Sequence, residues 1–336
     1  MPSASTRSFI HLAAAALTLT ATLALTGCSH IQLAFGLRTS LAKLPVTTME
    51  ATLPKDPAIA PGEKSPLVVT FTDAAGKIWI TEGQGKGKIL WSDLTVVPTV
   101  VTFKKGTVSL PYDPRVSEGK TGHLDVTAPS HPTLHATIDI PLRYNYPFQA
   151  AYAGASGSSG TDGTDGANGT GGSMGSIDPN NPSPGGDGGN GGDGGNGGDG
   201  GNGDDGPAVH AFITLKPGPT PLLEARVTAT GHKDRYYLID PDGGSLTLKS
   251  DGGSGGSGGR AGRGGSGGSG GAGIPNGNNG LAGHDGLAGS NGFAGSNGPI
   301  TITYDPQVQP YLTAIITSKR DSSSVTLQQQ PVAPLW

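Results

Sequence analysis

Apolar and polar residues alternate with a period of two through most of residues 46–150. Leu67-Val69-Phe71, Ile78-Ile80, Val101-Phe103, Val108-Leu110, Leu124-Val126 and Leu134-Ala136-Ile138-Ile140 each place apolar groups on one face of a strand. Between these runs stand the turn-forming stretches DAAGK, KKG and YDPRVSEGKTG. Short strands punctuated in this way predict a β-sandwich. A second set of alternating runs follows at Val209-Ala211-Ile213-Leu215, Leu223-Ala225-Val227-Ala229, Tyr237-Ile239 and Leu246-Leu248. The last two flank DPDGG, which reads as a hairpin turn. Ile300-Ile302-Tyr304 and PYLTAIITSK complete a small second β unit, and the polar residues 321–336 read as a flexible tail.

The first region, residues 46–150, has the size of an immunoglobulin domain, about 100 residues. In its strand pattern it resembles bacterial extracellular Ig-like modules. The second region, residues 151–320, is interrupted by something else. Glycine, 59 residues in all, returns at every third position over 154–175, 185–206, 253–271 and 277–298; with the third run taken as 252–273, the four segments are 22 residues each. Disordered linkers have no reason to match in length.

Three is the period of the polyproline II helix, which rises ~3.1 Å per residue, so each segment would extend about 68 Å. That helix makes no internal hydrogen bonds. Its amides need water or a neighbouring chain, and glycine lets another backbone approach. On these triplets the chain resembles proteins containing polyglycine II bundles and, more loosely, collagen-like proteins. The expected fold is therefore mainly β, an N-terminal Ig-like β-sandwich followed by a small β unit carrying a polyglycine-II-like bundle. Collagen itself fits poorly because the triplets almost lack proline. A calcium-binding β-roll needs an apolar residue in each nine-residue turn, which 185–206 never supplies. Disorder is the competing state. Ordering a residue costs ~1–2 kcal/mol and a net hydrogen bond returns ~0.5–1.5, so a bundle needs flanking strands to align it.

Side chains are distributed over the three ridges of such helices in a telling way. Segments two and three carry glycine on two ridges. The third bears Asp187, Asn190, Asp193, Asn196, Asp199 and Asn202 in segment two, and serines with Arg260 and Arg263 in segment three. Segments one and four carry glycine on one ridge, which suits an edge. In segment four a six-residue sub-repeat sets Leu281, Leu287 and Phe293 along one ridge, about 18 Å apart. These three are the candidate interaction ridge, with an adhesive or assembly strip and simple coverage of a neighbouring surface as the two readings. Whether Ile274-Pro275-Asn276 reverses the chain or continues it is open.

The N-terminus adds a location. Arg7 precedes an apolar stretch from Phe9 to Leu25, the form of a secretory signal. Leu25-Thr26-Gly27-Cys28 resembles the lipobox of bacterial lipoproteins. The resemblance implies removal of residues 1–27 by cleavage after Gly27, and diacylglycerol and N-acyl lipid such as palmitate on Cys28. Residues 28–45 then read as a lipidated tether. Ser29 at the next position implies the outer membrane in the diderm lipoproteins this leader resembles. Cys28 is the only cysteine, so no disulfide forms within the chain. A net charge of −4 and a pI near 6.0 give no basic footprint and argue against nucleic acid as a partner.

Catalytic and metal chemistry find little support in the sequence. His123 and Asp125 share a strand face without a third ligand at metal spacing, and His131 and His135 straddle Pro132. The G-x-S-x-G matches at 171–175 and 252–256 are what Gly/Ser tracts produce by chance. One carboxylate every six residues in segment two is too sparse for a calcium cage. The expectation is thus a non-enzymatic cell-envelope lipoprotein, structural or adhesive, with the membrane, envelope proteins or polysaccharide as partners and no cofactor beyond the lipid. The alternative is a binding module that recognises polysaccharide or calcium through the sandwich or the repeat ridges.

Overall fold

Several of the longer strands bury alternate residues, among them 68–73, 122–127, 147–153 and 245–251, and the described residues of the computed structural model, 37–317 and 325–336, are mainly β. They divide into one unit ending at Tyr146 and another beginning at Pro147. Gly27 and Cys28 lie outside the described residues.

The first unit contains β1 (Val46–Thr52), β2 (Lys64–Pro66), β3 (Val68–Asp73), β4 (Ile78–Ile80), β5 (Thr95–Thr99), β6 (Thr102–Lys104), β7 (Thr107–Ser109), β8 (Gly122–Thr127) and β9 (His135–Ile140). They form three antiparallel three-stranded sheets, β1-β3-β4, β2-β7-β6 and β5-β8-β9, around one core that includes Ile59, Phe71, Ile89, Leu124 and Ile140. Two expectations need correction. Ile78, expected to face the core, is 60% exposed, because the short edge strand β4 turns Trp79 inward instead. Leu41, expected in a tether, is fully buried in the core, and its N–H donates to Asp93 at 2.8 Å.

The second unit contains β10 (Pro147–Ala153), β11 (Val209–Lys216), β12 (Leu222–Ala229), β13 (Arg235–Ile239), β14 (Ser245–Asp251), β15 (Ile300–Tyr304), β16 (Ile315–Thr317) and β17 (Val325–Gln329). One sheet has the order β13-β12-β11-β15-β17, antiparallel from β13 to β11 and parallel from β11 to β17. The other is the parallel sheet β10-β14-β16. Residues 147–150, expected to end the sandwich, pair with β14 and belong to this unit. DPDGG does form a turn, with Gly244 donating to the Asp240 carbonyl, but it is not a hairpin. It passes the chain from β13 in one sheet to β14 in the other, since β14 takes β10 as its neighbour.

In the PYLTAIITSK stretch, residues 310–314 close the 3-10 helix Pro306–Ala314, and only the three residues of β16 form a strand. Residues 325–336, expected within a loose tail, are tied down. After β17, Val332 accepts from the Thr214 hydroxyl, and the Leu335 N–H donates to Glu224 at 2.9 Å. The buried Glu224 carboxylate needs such donors, and Lys216 supplies another at 2.9 Å.

Candidate functional site

The four glycine segments leave the ends of β10 and β14 and run back into β11 and β15. No hydrophobic core lies between them, so their order depends on where their amides go. Segment two donates from Gly186 through Asp204 to carbonyls of segment one, seven bonds at 2.7–2.8 Å, and from Gly188 through Gly206 to segment four, seven bonds at 2.8–2.9 Å, with Gly185 donating to Pro275 just before it at 3.0 Å. Segment three donates seven bonds to segment two. Segment one donates eight to carbonyls of segment three and of Asp251 before it, and segment four donates eight to segment three and Ser250.

Segments one and three run parallel, as do two and four, and the two pairs oppose each other. Segments two and three each bond to all three others, whereas one and four bond to two. The inner positions fall to the segments with glycine on two ridges. At Ile274-Pro275-Asn276 the chain reverses, since Gly277 to Gly295 pair antiparallel with Gly271 to Gly253.

Close approach explains the glycine. A methyl group at Gly262 would overlap the Thr164 carbonyl oxygen of segment one, and one at Gly194 would overlap that of Gly262. The exception is Gly171, which has no lattice role, with the nearest atom, the Ser269 carbonyl oxygen, 3.9 Å from its notional methyl. Ala261 is the one methyl on a glycine ridge of segment three.

Backbone bonds alone leave some N–H groups over, and side chains accept from them. Along segment two, Oδ1 of Asp187, Asn190, Asp193, Asn196, Asp199, Asn202 and Asp205 accepts in turn from the backbone N–H of Asn278, Leu281, His284, Leu287, Ser290, Phe293 and Ser296, at 2.6–2.9 Å. Asp162, Asp165 and Asn168 of segment one do the same for Arg260, Arg263 and Ser266. On segment four, Asn279, Asp285, Asn291 and Asn297 accept from Gly270, Gly264, Gly258 and Gly252. Asp and Asn therefore recur because a short side chain with a carbonyl-like oxygen reaches the adjacent segment's backbone. Sequence reading missed this role, although the three-residue spacing of Asp/Asn was its visible signal.

The match between segments two and four is finer still. Each neutral amide, Asn190, Asn196 and Asn202, caps an apolar residue, Leu281, Leu287 and Phe293. Each carboxylate caps a polar one. Leu281, Leu287 and Phe293 are 73%, 73% and 78% exposed, so they cover no neighbouring ridge and the coverage reading is set aside.

Of the other candidates, His123 sits between two acids. Its Nδ1 meets Asp139 at 2.7 Å, across the β8–β9 register, and Nε2 meets Asp125 at 3.3 Å. Asp139 is the member that sequence spacing could not supply. With an acid on each ring nitrogen, the proton is held above the ordinary imidazole range, chiefly by the Asp139 hydrogen bond and further by Asp125, against opposing desolvation. The two acids occupy both ring nitrogens rather than converging on one point, and no group of three or more His, Cys, Asp or Glu among the described residues is arranged to hold a metal ion. His131 Nε2 is taken up by the Leu44 carbonyl at 3.0 Å. No family model matches the sequence, and no curated protein or solved structure is significantly similar to it.

Proposed function

We propose that this protein is a non-enzymatic lipoprotein of the bacterial cell envelope, lipidated on Cys28 and held at the outer membrane. In this reading the first unit is an Ig-like β-sandwich spacer, and the second presents a stiff polyglycine-II-like bundle for a structural or adhesive role. One observation carries the reading. Four equal segments, nearly free of apolar side chains, commit their amides and their Asp and Asn oxygens to one another along their whole length. A rod bonded every third residue on several sides keeps its shape without a core, over about 68 Å at polyproline II rise. The lipobox-like Leu25-Thr26-Gly27-Cys28 supports the anchor.

The calcium alternative is weakened by the same bonds. Oδ1 of each segment-two aspartate at 187, 193, 199 and 205 already accepts an amide, and the carboxylates stand in a single row rather than converging. Envelope proteins or polysaccharide are the partner classes for the exposed ridges. Fatty-acid labelling in a diderm bacterial host tests the anchor. The intact chain takes up label and sediments with membranes, while Cys28→Ala takes none and becomes soluble. An unlabelled intact chain, or a Cys28→Ala variant still bound to membranes, defeats the proposal.

A further inference from the structure

We propose that the face formed by segments two and four is a self-association surface. On it a second copy of this chain docks in parallel, ridge on ridge, with Leu281, Leu287 and Phe293 each meeting its own counterpart. The inference goes beyond the proposed function and stands whether or not Cys28 carries lipid.

Glycine is absent from the outward ridge of segment two and from both outward ridges of segment four. No further backbone can therefore join the lattice on this side, and whatever covers the face must do so through side chains. The face bears three large apolar side chains at equal six-residue intervals, each about three-quarters exposed. The one outward ridge of segment three carries serines, Arg260, Arg263 and Ala272, and those of segment one carry mainly Ser, Thr, Ala and Asp, with the exposed Met174 only at its far end.

Charge placement selects the occupant and its orientation. Asp187, Asp193, Asp199 and Asp205 lie together on segment two, along one side of the apolar row. That acidic row disfavours an anionic lipid surface. A two-fold axis across the ridges would stack the acidic row of one copy on that of the other. An axis along the ridges instead superposes the two apolar rows and sends the two acidic rows to opposite rims, where water screens them. Asp285, on the other side of the apolar row, has Oδ1 turned back to the Gly264 N–H. In the parallel arrangement Ser290 meets Ser290 of the second copy, whereas the antiparallel one sets it against His284.

The area agrees with a weak, reversible contact. From Asn278 to Ser296 the face is about 56 Å long at polyproline II rise, and two adjacent segments span roughly 10 Å. The pair would bury roughly 1,100 Å² in total, just below the ~1,200–2,000 Å² of stable interfaces.

The full chain carrying Cys28→Ser provides the test, because an added cysteine is then its only thiol. Sedimentation should show a monomer–dimer equilibrium with a Kd of roughly 10–1,000 μM, tightened by salt as the carboxylates are screened. Leu287→Asp should raise the Kd at least about tenfold, and the milder Leu287→Ser should raise it less. Leu287 is exposed, so circular dichroism should be unchanged in both variants. Ser290→Cys should give a disulfide-linked dimer under mild oxidation, and Ser254→Cys, on segment three, should not. Three results overturn the proposal: a chain that stays monomeric to roughly 1 mM, a dimer that Leu287→Asp leaves intact, or linkage at Ser254 without linkage at Ser290.

Discussion

Gly262 and Gly171 both lie in the glycine-rich segments, but Gly171 stands off the single glycine ridge of segment one. Their surroundings differ completely, since a methyl at Gly262 strikes the Thr164 carbonyl and one at Gly171 meets nothing closer than 3.9 Å. Gly262→Ala should destabilise the second unit by at least about 2 kcal/mol through forced separation of segments. Gly171→Ala should change stability by no more than about 0.5 kcal/mol. Thermal denaturation of the two variants against the parent checks both, and equal melting temperatures would contradict the close-packed lattice. His123 offers a residue-scale pH test. Its proton affinity is raised in the folded state, so its ion-pair contribution is fully present below the ordinary imidazole pKa of about 6.5. That contribution disappears as pH rises through the folded value. An NMR titration should place the His123 midpoint above 6.5, and Asp139→Asn should lower it. Two of the three members of this cluster, His123 and Asp125, were legible in the sequence because they are two apart on one strand. Asp139 comes from the neighbouring strand, and strand register is not written in local spacing.

Between elements, the unit of stability in the bundle is a pair of parallel segments joined by backbone bonds and by a row of side-chain acceptors. Asn196→Ala removes the acceptor of the Leu287 N–H, at 2.8 Å, while leaving the Gly197-to-Leu287 backbone bond in place. The loss of one net hydrogen bond, ~0.5–1.5 kcal/mol, should speed hydrogen exchange at Leu287 by roughly two- to tenfold. Exchange at Leu281 and Phe293, capped by Asn190 and Asn202, should change little. Site-resolved exchange measurements decide it, and uniform acceleration along segment four would show instead that the row acts as one cooperative unit. Which segments lie inside was legible from the glycine ridges, because two bare ridges admit more neighbours than one. The DPDGG turn was legible as a turn, but its partners were not. Whether β14 folds back on β13 or joins β10 depends on competition among distant strands, and local turn chemistry is silent on it.

At the scale of the molecule, the C-terminal residues show how distant chemistry overrides local composition. Polar residues and prolines made 325–336 look loose, yet the Glu224 carboxylate, 1% exposed, recruits the Leu335 N–H, and Trp336 packs edge-on to Tyr236 at 5.9 Å between ring centroids. Deleting residues 330–336 should cost about 1–3 kcal/mol by stripping a donor from a buried carboxylate. Chemical denaturation of the shortened chain measures this, and an unchanged midpoint would mean that water replaces the tail without loss.

The triplet period and the count of bare ridges determined, by themselves, that these segments need neighbours and which of them sit inside. The register was decided elsewhere. A six-residue sub-repeat looks the same after a slip of six, so segments two and four match almost equally well in several alignments. The sheets choose among them. Ala153 pairs with Asp251 in β10–β14, and Asp162 caps Arg260 at the same separation of 98 residues. Val209 pairs with Ile300 in β11–β15, and Asp187 caps Asn278 at the same separation of 91. Apolar strand faces have only one alignment that buries them, and the glycine segments inherit it because the chain passes from strand to segment without a break.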